Sequence, residues 1–266
     1  MAMPVRCLKG YNAGPREQDM TASSYFSATY REAREKFLDA SKAANGRVES
    51  FKSPCVGPHG EPLHTDAAMF GANDAKSVLL LGSGTHGVEG FAGSAIQTGL
   101  LRDGLAARLG ANRRVVMIHA VNPYGFAHLR RVNEDNVDLN RNFVDHSKPY
   151  PRNPEYDRLA HIIAPGSYSP IGSIVSPIRL LIHRAVRGQA ALQAAVTRGQ
   201  YAHPQGLFFG GHSETWSNRT MRRIARAHLS GAARIAFIDF HTGLGRYGEG
   251  EVIVSAAKPS VMSSIA

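Results

Sequence analysis

The sequence predicts an α/β fold in which helices pack on a sheet that contains parallel strands. Three short aliphatic runs, each the length of a buried strand, are separated by segments with helical periodicity. Strands that alternate with helices in this way are typical of βαβ units, whose strands are parallel. The 266 residues, 43% hydrophobic and 20% charged, are enough for a globular domain of this class.

The helices are predicted from apolar residues that recur at steps of three and four. In the first helix these residues are Phe26, Tyr30, Ala33, Phe37 and Ala40. The helical segments are residues 22–43, 89–101, 178–196 and 218–229. The buried strands are Ser77–Leu81, Arg114–Val121 and Arg234–Phe240. Residues 48–70, rich in Gly, Pro and His, are predicted to be loops with a short strand or two.

Composition limits the partners that we expect. The net charge is +10, but the arginines are scattered and are not interleaved with aromatic residues, which disfavours a nucleic-acid surface. An anionic substrate fits the charge. The sequence has neither an apolar run of about 20 residues nor a secretory signal, so we expect a cytoplasmic protein without a membrane partner. Cys7 and Cys55 predict neither a disulfide framework nor a thiol metal site.

Polar residues suited to chemistry follow all three predicted strands. They lie in LGSGTHGVEGFAG at 81–93, in VNPYGFAHLRRVNEDNVDLNRNF at 121–143 and in DFHTG at 239–243. Ligands bind outside the carboxyl ends of such strands. His86, Glu89 and His241 would supply two imidazoles and one carboxylate, a donor set typical of catalytic zinc. Asp239 would share a strand face with His241 and could orient a site group.

Other interpretations of these residues stay open at this point. An HxxE pair is common by chance, and a lone histidine such as His241 is more often a core residue than a ligand. The glycines around His86 could also form a tight turn or bind a phosphate at a helix N-terminus. The turn lacks the Lys-Ser/Thr pair of a P-loop, however, and Glu89 would repel a phosphate. A phosphate or nucleotide binder is therefore the weakest hypothesis.

Taken together, the motifs resemble those of the zinc carboxypeptidase superfamily, which includes the succinylglutamate desuccinylase and aspartoacylase deacylases. The shared features are the HxxE pair, NPYG at 122–125, Arg131, VDLNRNF at 137–143 and a distant histidine, in the family's order. They extend from about Ser77 to Gly243, and the branch they most resemble is an uncharacterised bacterial, carboxypeptidase-like one. The resemblance implies a three-layer α/β sandwich whose central sheet is mixed and largely parallel.

The resemblance also implies roles for individual residues. It implies one Zn²⁺ ion bound by His86, Glu89 and His241. It implies that Asn140 and Arg141 bind the free carboxylate of the substrate. It implies that Arg131 stabilises the oxyanion, with Arg130 as the alternative if the register differs by one. The implied reaction is hydrolysis of a peptide or N-acyl amide bond next to a free carboxylate, by a carboxypeptidase-type metallopeptidase or an amino-acid deacylase. The implied substrate is a small peptide or an N-acyl amino acid.

One expected element of the family is not identifiable. The general base, a glutamate on a late strand, has no clear counterpart, because Glu249 and Glu251 lie in or near a Gly-rich loop and Glu214 precedes the third ligand. We therefore expect one catalytic domain over residues 1–266, truncated at its C-terminus and lacking its last strands. Residues 146–215 are expected to be an insertion around the pocket. The alternatives are a catalytically inactive zinc- and carboxylate-binding module, or an enzyme in which Glu214 serves as the base.

Overall fold

The structure, a computed structural model, describes residues 22–164, 170–243, 245–246 and 249–253. The helices are α1 Tyr30–Ala43, α2 Gly90–Arg102, α3 Pro123–Ala127, α4 Leu139–Asn142, α5 Pro154–Ile163, α6 Pro170–Arg187, α7 Gln189–Thr197 and α8 Trp216–Leu229. The strands are β1 Arg47–Val56, β2 Pro62–Gly71, β3 Ser77–Ser83, β4 Arg113–His119 and β5 Arg234–Phe240.

The five strands form a mixed sheet in the order β1-β2-β4-β3-β5. Strand β3 is parallel to β4 and to β5, with Leu80 opposite Val116 on one side and Phe237 on the other. The β1–β2 and β2–β4 pairs are antiparallel. The carboxyl ends of β3, β4 and β5 therefore lie at one edge of the sheet, and the loops that carry the predicted site residues begin there.

Alternate side chains of the strands enter two hydrophobic cores on opposite faces of the sheet. On one face α1 and α2 contribute Phe37 and Leu101. On the other face α8 contributes Ile224 and Leu229. Leu81, Val115 and Met117 point into the first core, and Val78, Leu80, Val116 and Ile118 into the second. This cover on both faces explains the uninterrupted aliphatic runs of β3 and β4. The prediction that Arg234–Phe240 is a buried strand is wrong for the described residues, because β5 is the edge strand of the sheet and Phe237 is 51% exposed. The predicted α/β sandwich with a mixed central sheet is confirmed.

The prediction that residues 48–70 are mainly loop is wrong. Strands β1 and β2, of ten residues each, form an antiparallel hairpin there. Strand β2 lies between β1 and β4, so it is buried on both faces and lacks the alternation of a surface strand. Its buried Asp66 forms an ion pair with Arg34 of α1 at 2.6 Å, which compensates the cost of burying the carboxylate. From the sequence alone, a charged residue at this position would be assigned to a loop.

Two predicted helices have different boundaries in the structure. The segment 178–196 contains parts of α6 and α7, separated by Gly188 at φ +85°, a conformation that interrupts a helix. The first helix begins at Tyr30 rather than residue 22, because Thr29 caps it by accepting a hydrogen bond from the Glu32 N–H at 3.2 Å. Within the described residues, none of the helices has both the length and the apolarity needed to cross a bilayer.

Helices α5, α6 and α7 lie within residues 146–215, the segment predicted to be an insertion. Helix α6 packs against α5 and α7. Residues 165–169 of this segment are outside the described part of the chain.

Candidate metal centre

The turn after β3 positions His86 and Glu89. Gly84 adopts φ +70°, a left-handed conformation that glycine accepts without strain, and it redirects the chain as the strand ends. His86 immediately precedes a short 3₁₀ helix, Gly87–Glu89, which continues into α2. One turn of helix therefore separates the two side chains and aims them at a common point.

The same turn lies directly against the loop that follows β4. The backbone N–H groups of Gly87 and Val88 donate to the carbonyl oxygens of Arg131 and Arg130, at 3.1 and 3.0 Å. A Cβ atom on Gly87 would lie 2.0 Å from the carbonyl carbon of Gly125. Close packing of two backbone segments therefore explains this glycine.

Three side chains predicted from the sequence meet at this edge of the sheet. His86 Nδ1 lies 2.9 Å from Oε1 of Glu89, and His241 Nδ1 lies 2.8 Å from Oε2 of the same carboxylate. One potential ligand atom from each residue lies within 4.8 Å of the other two. His86 is buried, Glu89 is half-buried and His241, just after β5, is exposed, so the cluster opens to solvent on one side. We call these three residues the metal cluster.

A second carboxylate holds the outer nitrogen of each histidine. His86 Nε2 lies 3.3 Å from Asp138 Oδ1, and His241 Nε2 lies 2.8 Å from Asp239 Oδ2. Asp239 therefore lies where the strand alternation predicts it. Thr85 donates to its other oxygen at 3.0 Å. When Nε2 carries the hydrogen and donates it to a carboxylate, Nδ1 is the nitrogen that can bind a metal, and this holds for both rings.

The electrostatics of the cluster favour positive charge. Burial alone would raise the pKa of the Glu89 carboxyl, but hydrogen bonds from His241 and His86 hold that pKa well below its usual range. Hydrogen bonds to Asp239 and Glu89 raise the pKa of His241 to about 10. Burial lowers the pKa of His86, and its bonds to Asp138 and Glu89 outweigh that effect and raise it. A metal cation would compete with protons for these nitrogens.

Asp138 is a fully buried carboxylate that joins three parts of the site. Its Oδ1 accepts from the Asn140 N–H at 3.0 Å and so caps α4, besides contacting His86. Its Oδ2 accepts from Nε and Nη2 of Arg131, at 3.1 and 3.0 Å. Burial would raise the pKa of this carboxyl, but the contacts with His86 and Arg131 hold it below its ordinary value.

The structure places the Arg131 side chain, rather than that of Arg130, beside the metal cluster. Its guanidinium lies 3.5 Å from Glu89 Oε1, and its side chain is 40% exposed on the open side. The ring of Phe208 lies 4.9 Å from the guanidinium carbon, a cation–π arrangement. Arg130 contributes the main-chain carbonyl that accepts from Val88.

Asn140 and Arg141 lie in different surroundings. The Asn140 side-chain nitrogen lies 3.3 Å from His86 Nε2, so Asn140 borders the metal cluster. The Arg141 guanidinium donates to the Asn140 carbonyl at 3.1 Å and to the Thr197 carbonyl of α7 at 2.6 Å. Arg141 therefore links the site to the predicted insertion, and a substrate carboxylate would have to replace or share these contacts.

The glutamates considered as general bases lie apart from the cluster. Glu214 is 3.4 Å from Arg222, and Glu249 and Glu251 are exposed. Within the described residues, the carboxylates in hydrogen-bond contact with the two histidines are those of Glu89, Asp138 and Asp239. This part of the chain brings no additional glutamate into contact with the cluster.

Sequence reasoning missed several of these contacts. No contact with a histidine was predicted for Asp138, although an Asp at the start of a short helical motif is a usable signal for a capping role. The contacts of Phe208 with Arg131 and of Thr197 with Arg141 had no local signal, because both partners come from the predicted insertion.

Comparison with known families and structures gives one family match. The model of a family described as Protein of unknown function (DUF2817) matches residues 26–264. No curated protein matches the chain.

Similar solved structures include carboxypeptidase A from Helicoverpa armigera, with 16% identity over 85% of this chain and a TM-score of 0.46. A Shewanella frigidimarina structure, provisionally described as a succinylglutamate desuccinylase/aspartoacylase, has 17% identity over 74% of this chain and a TM-score of 0.38. The Porphyromonas gingivalis glutaminyl cyclase has 12% identity over 39% of this chain and a TM-score of 0.27. This chain spans about half the length of these structures (49%, 46% and 46%). Similarity at this level assigns neither an activity nor a ligand to the chain.

Proposed function

The chain belongs to the family described as Protein of unknown function (DUF2817), and from its site we propose that it is a zinc-dependent metallohydrolase. The proposed reaction is cleavage of a peptide or N-acyl amide bond next to a free carboxylate, of the carboxypeptidase or amino-acid deacylase type. The observation that carries the proposal is the meeting of His86, Glu89 and His241, with ligand atoms within 4.8 Å of one another.

The donor chemistry of the cluster fits zinc. Two imidazoles and one carboxylate are a frequent set in catalytic zinc sites, which keep a further position for water. Nδ1 of His86, Nδ1 of His241 and the Glu89 carboxylate would hold the ion, and Asp138 and Asp239 support the two imidazoles from outside. When bound, zinc lowers the pKa of a water molecule and polarises a carbonyl oxygen.

The remaining residues would bind and orient the substrate. One edge of the Arg131 guanidinium is fixed by Asp138, so its positive charge is held at the open side of the cluster. A fixed donor there stabilises the negative charge that develops on a carbonyl oxygen under attack. Asn140 borders the same space, and Arg141 would supply a two-pronged contact to a substrate carboxylate.

The predicted insertion, residues 146–215, would form one side of this pocket within a single domain. Besides Phe208, its contacts with the site include the Thr197 carbonyl, bonded to Arg141, and the Tyr201 hydroxyl, which donates to the Arg141 carbonyl at 2.6 Å. Both contacts favour a role for the insertion in limiting the size of the substrate.

A second candidate is a zinc- and carboxylate-binding module without catalysis. The observation that favours it is the environment of the carboxylates at the cluster: Asp138 and Asp239 are each bonded to a histidine and to another donor. Within the described residues, the one other carboxylate in contact with the two histidines is Glu89, the proposed zinc ligand, so no further carboxylate is placed there to take a proton from water. Both candidates require zinc, and they differ in turnover.

The first experiment measures zinc in the purified chain by elemental analysis. We expect one zinc per chain, and loss of that zinc in His86→Ala and His241→Ala. His59→Ala, which removes an exposed histidine at the β1–β2 turn, is the matched control and should retain the metal. Absence of stoichiometric zinc, or its retention after both ligand substitutions, contradicts the proposal.

The second experiment separates the two candidates. The zinc-loaded chain is incubated with a panel of dipeptides and N-acyl amino acids, and free amino acid is measured. Hydrolysis that disappears in Glu89→Gln supports the enzyme. Binding of these compounds without turnover by the wild type supports the module.

A further inference from the structure

Phe208 lies against both arginines of the proposed site. The centre of its ring is 4.9 Å from the guanidinium carbon of Arg131 and 5.9 Å from that of Arg141. An aromatic ring attracts a guanidinium within about 6 Å, so the contact with Arg131 is well inside this range and the contact with Arg141 is at its limit. Phe208 is half-buried and belongs to the predicted insertion rather than to the sheet.

The backbone turns the Phe208 ring toward the arginines. Phe208 has φ +54°, a left-handed conformation that a bulky side chain rarely adopts. Hydrogen bonds hold this segment in place: the Phe208 carbonyl accepts from the Gln200 N–H at 3.1 Å, and the Phe209 carbonyl accepts from the Asp138 N–H at 2.8 Å. Backbone strain of this kind persists only where the surroundings maintain it, and it concentrates at functional sites.

The Phe208 ring adds a restraint to the Arg131 side chain. Asp138 accepts from Nε and Nη2 of Arg131, and Nη1 lies 3.5 Å from Glu89. These contacts act on the nitrogen atoms, whereas the ring supports the carbon at the centre of the group. Because the Arg131 side chain is 40% exposed, removal of the ring would open more of the guanidinium to water and let it move away from the metal cluster.

Arg141 depends less on this ring. Its guanidinium donates to the main-chain carbonyls of Asn140 and Thr197. A Cβ atom on Gly199 would lie 2.5 Å from Cδ of Arg141, so the stem of the side chain packs directly on the backbone. Loss of the ring should therefore displace Arg131 more than Arg141.

We propose that Phe208 is a positioning residue, which holds Arg131 where a carbonyl oxygen under attack develops negative charge. This inference rests on the proposed hydrolase and deepens it. A donor that is fixed before the reaction stabilises such charge without the cost of reorganisation. The predicted insertion would then contribute to the chemical step, in addition to limiting the size of the substrate. Phe208 acts through Arg131 and does not itself touch the reacting atoms.

The first experiment compares Phe208→Leu with the wild type by steady-state kinetics, on a substrate from the panel of dipeptides and N-acyl amino acids. Leucine keeps an apolar side chain and the same backbone strain but removes the aromatic ring. We expect kcat to fall about five- to thirtyfold and KM to stay within about twofold, because the oxyanion exists only in the transition state. Phe208→Tyr keeps the ring and should keep kcat. Zinc content should be unchanged in both variants.

A double-mutant cycle distinguishes positioning from a merely structural role. In an Arg131→Ala background, Phe208→Leu should cause no further loss of kcat, because the residue through which the ring acts is gone. The matched control is Phe51→Leu, whose ring lies 5.3 Å from the guanidinium carbon of Arg223, and it should leave the kinetics unchanged. Additive losses, a raised KM with unchanged kcat, or a wild-type kcat in Phe208→Leu overturns the inference. If Phe208→Leu does not fold, Phe208→Met takes its place.

A binding measurement keeps this inference separate from the proposed reaction. A phosphonate analogue of a dipeptide carries a tetrahedral, negatively charged group where the oxyanion would form, and its affinity for the zinc-loaded chain is measured by calorimetry. Phe208→Leu should weaken this affinity about five- to thirtyfold and leave the affinity for the free amino acid unchanged. If that holds while the wild type hydrolyses nothing, the hydrolase is refuted and the positioning role stands. If the wild type hydrolyses its substrate but binds the phosphonate no better than Phe208→Leu does, this inference alone is overturned. Absence of both hydrolysis and phosphonate binding overturns both.

Discussion

Replacement of Gly87 by alanine should disrupt the metal cluster from outside it. A Cβ atom there would lie 2.0 Å from the Gly125 carbonyl carbon and 2.2 Å from the Phe126 nitrogen, whereas ordinary contacts of Cβ atoms begin at 3.4 Å. Both neighbours are backbone atoms, so no side-chain rotation relieves the clash. The two chain segments must separate by at least 1.0 Å, the difference between 3.0 Å, below which Cβ contacts are essentially never seen, and 2.0 Å.

This displacement is large compared with the tolerance of a metal site. Gly87 directly follows His86 and lies two residues before Glu89, so a shift of Gly87 moves both proposed ligands. Zinc–ligand distances vary by only about 0.2 Å. We expect Gly87→Ala to bind zinc at least about 100-fold more weakly, in line with the effect of misplaced site groups. Overpacking should also lower the free energy of unfolding by about 1–3 kcal/mol. Zinc affinity is measured by competition with a chromophoric chelator, and stability by chemical denaturation without metal.

The matched control for this substitution is Gly110→Ala, because a Cβ atom on Gly110 meets nothing within 4 Å. It should leave both zinc affinity and stability close to those of the wild type. If Gly87→Ala binds zinc as tightly as the wild type does, the reasoning is refuted, since the turn would then accommodate the methyl group without moving the ligands.

Three further predictions follow from single residues. Asp138→Asn removes the charge that supports His86 and should weaken zinc binding about 10- to 100-fold in the same chelator assay, with unaltered zinc affinity as the contradicting result. Arg131→Ala should reduce hydrolysis at least about 100-fold, whereas Arg130→Ala should change it little; comparable losses in both variants would contradict the assignment. Burial lowers the pKa of His119 to about 4 from 6.5, so the unfolded chain binds the proton first as the pH falls. Between those pH values the wild type should lose about 3 kcal/mol more unfolding free energy than His119→Gln, measured by denaturation at several pH values, and parallel pH curves would contradict this.

The meeting of His86, Glu89 and His241 was predictable because sheet geometry restricts where strand ends lie. Residues that follow parallel strands emerge at one edge, so a histidine after β5 approaches a pair after β3 although 152 residues separate His241 from Glu89. The two-residue period of a strand likewise predicts the side on which Asp239 lies. These inferences need only the pattern of each segment.

The hairpin of β1 and β2 was not predictable in the same way. Asp66 is fully buried in β2, and its carboxylate is satisfied by Arg34 of α1 and by the Ser50 hydroxyl of β1, neither of which is adjacent to it in the chain. Phe208 stacks on Arg131 from a segment whose own sequence carries no signal of that contact. In both cases the deciding interaction joins residues far apart in the chain, and local propensity contains no information about it.

The charge of the site explains why a divalent cation suits it. The carboxylates of Glu89, Asp138 and Asp239 surround the two histidines. The guanidinium of Arg131 contacts the Glu89 carboxylate. With both imidazoles neutral, three negative charges and one positive charge leave two negative charges in a partly buried space. Protonation of the two imidazoles can neutralise these two negative charges, which is why the pKa values of His86 and His241 are raised. A divalent cation supplies the same two charges at the convergence of three ligand atoms, so binding should release protons from the imidazoles, and its affinity should fall as the pH is lowered.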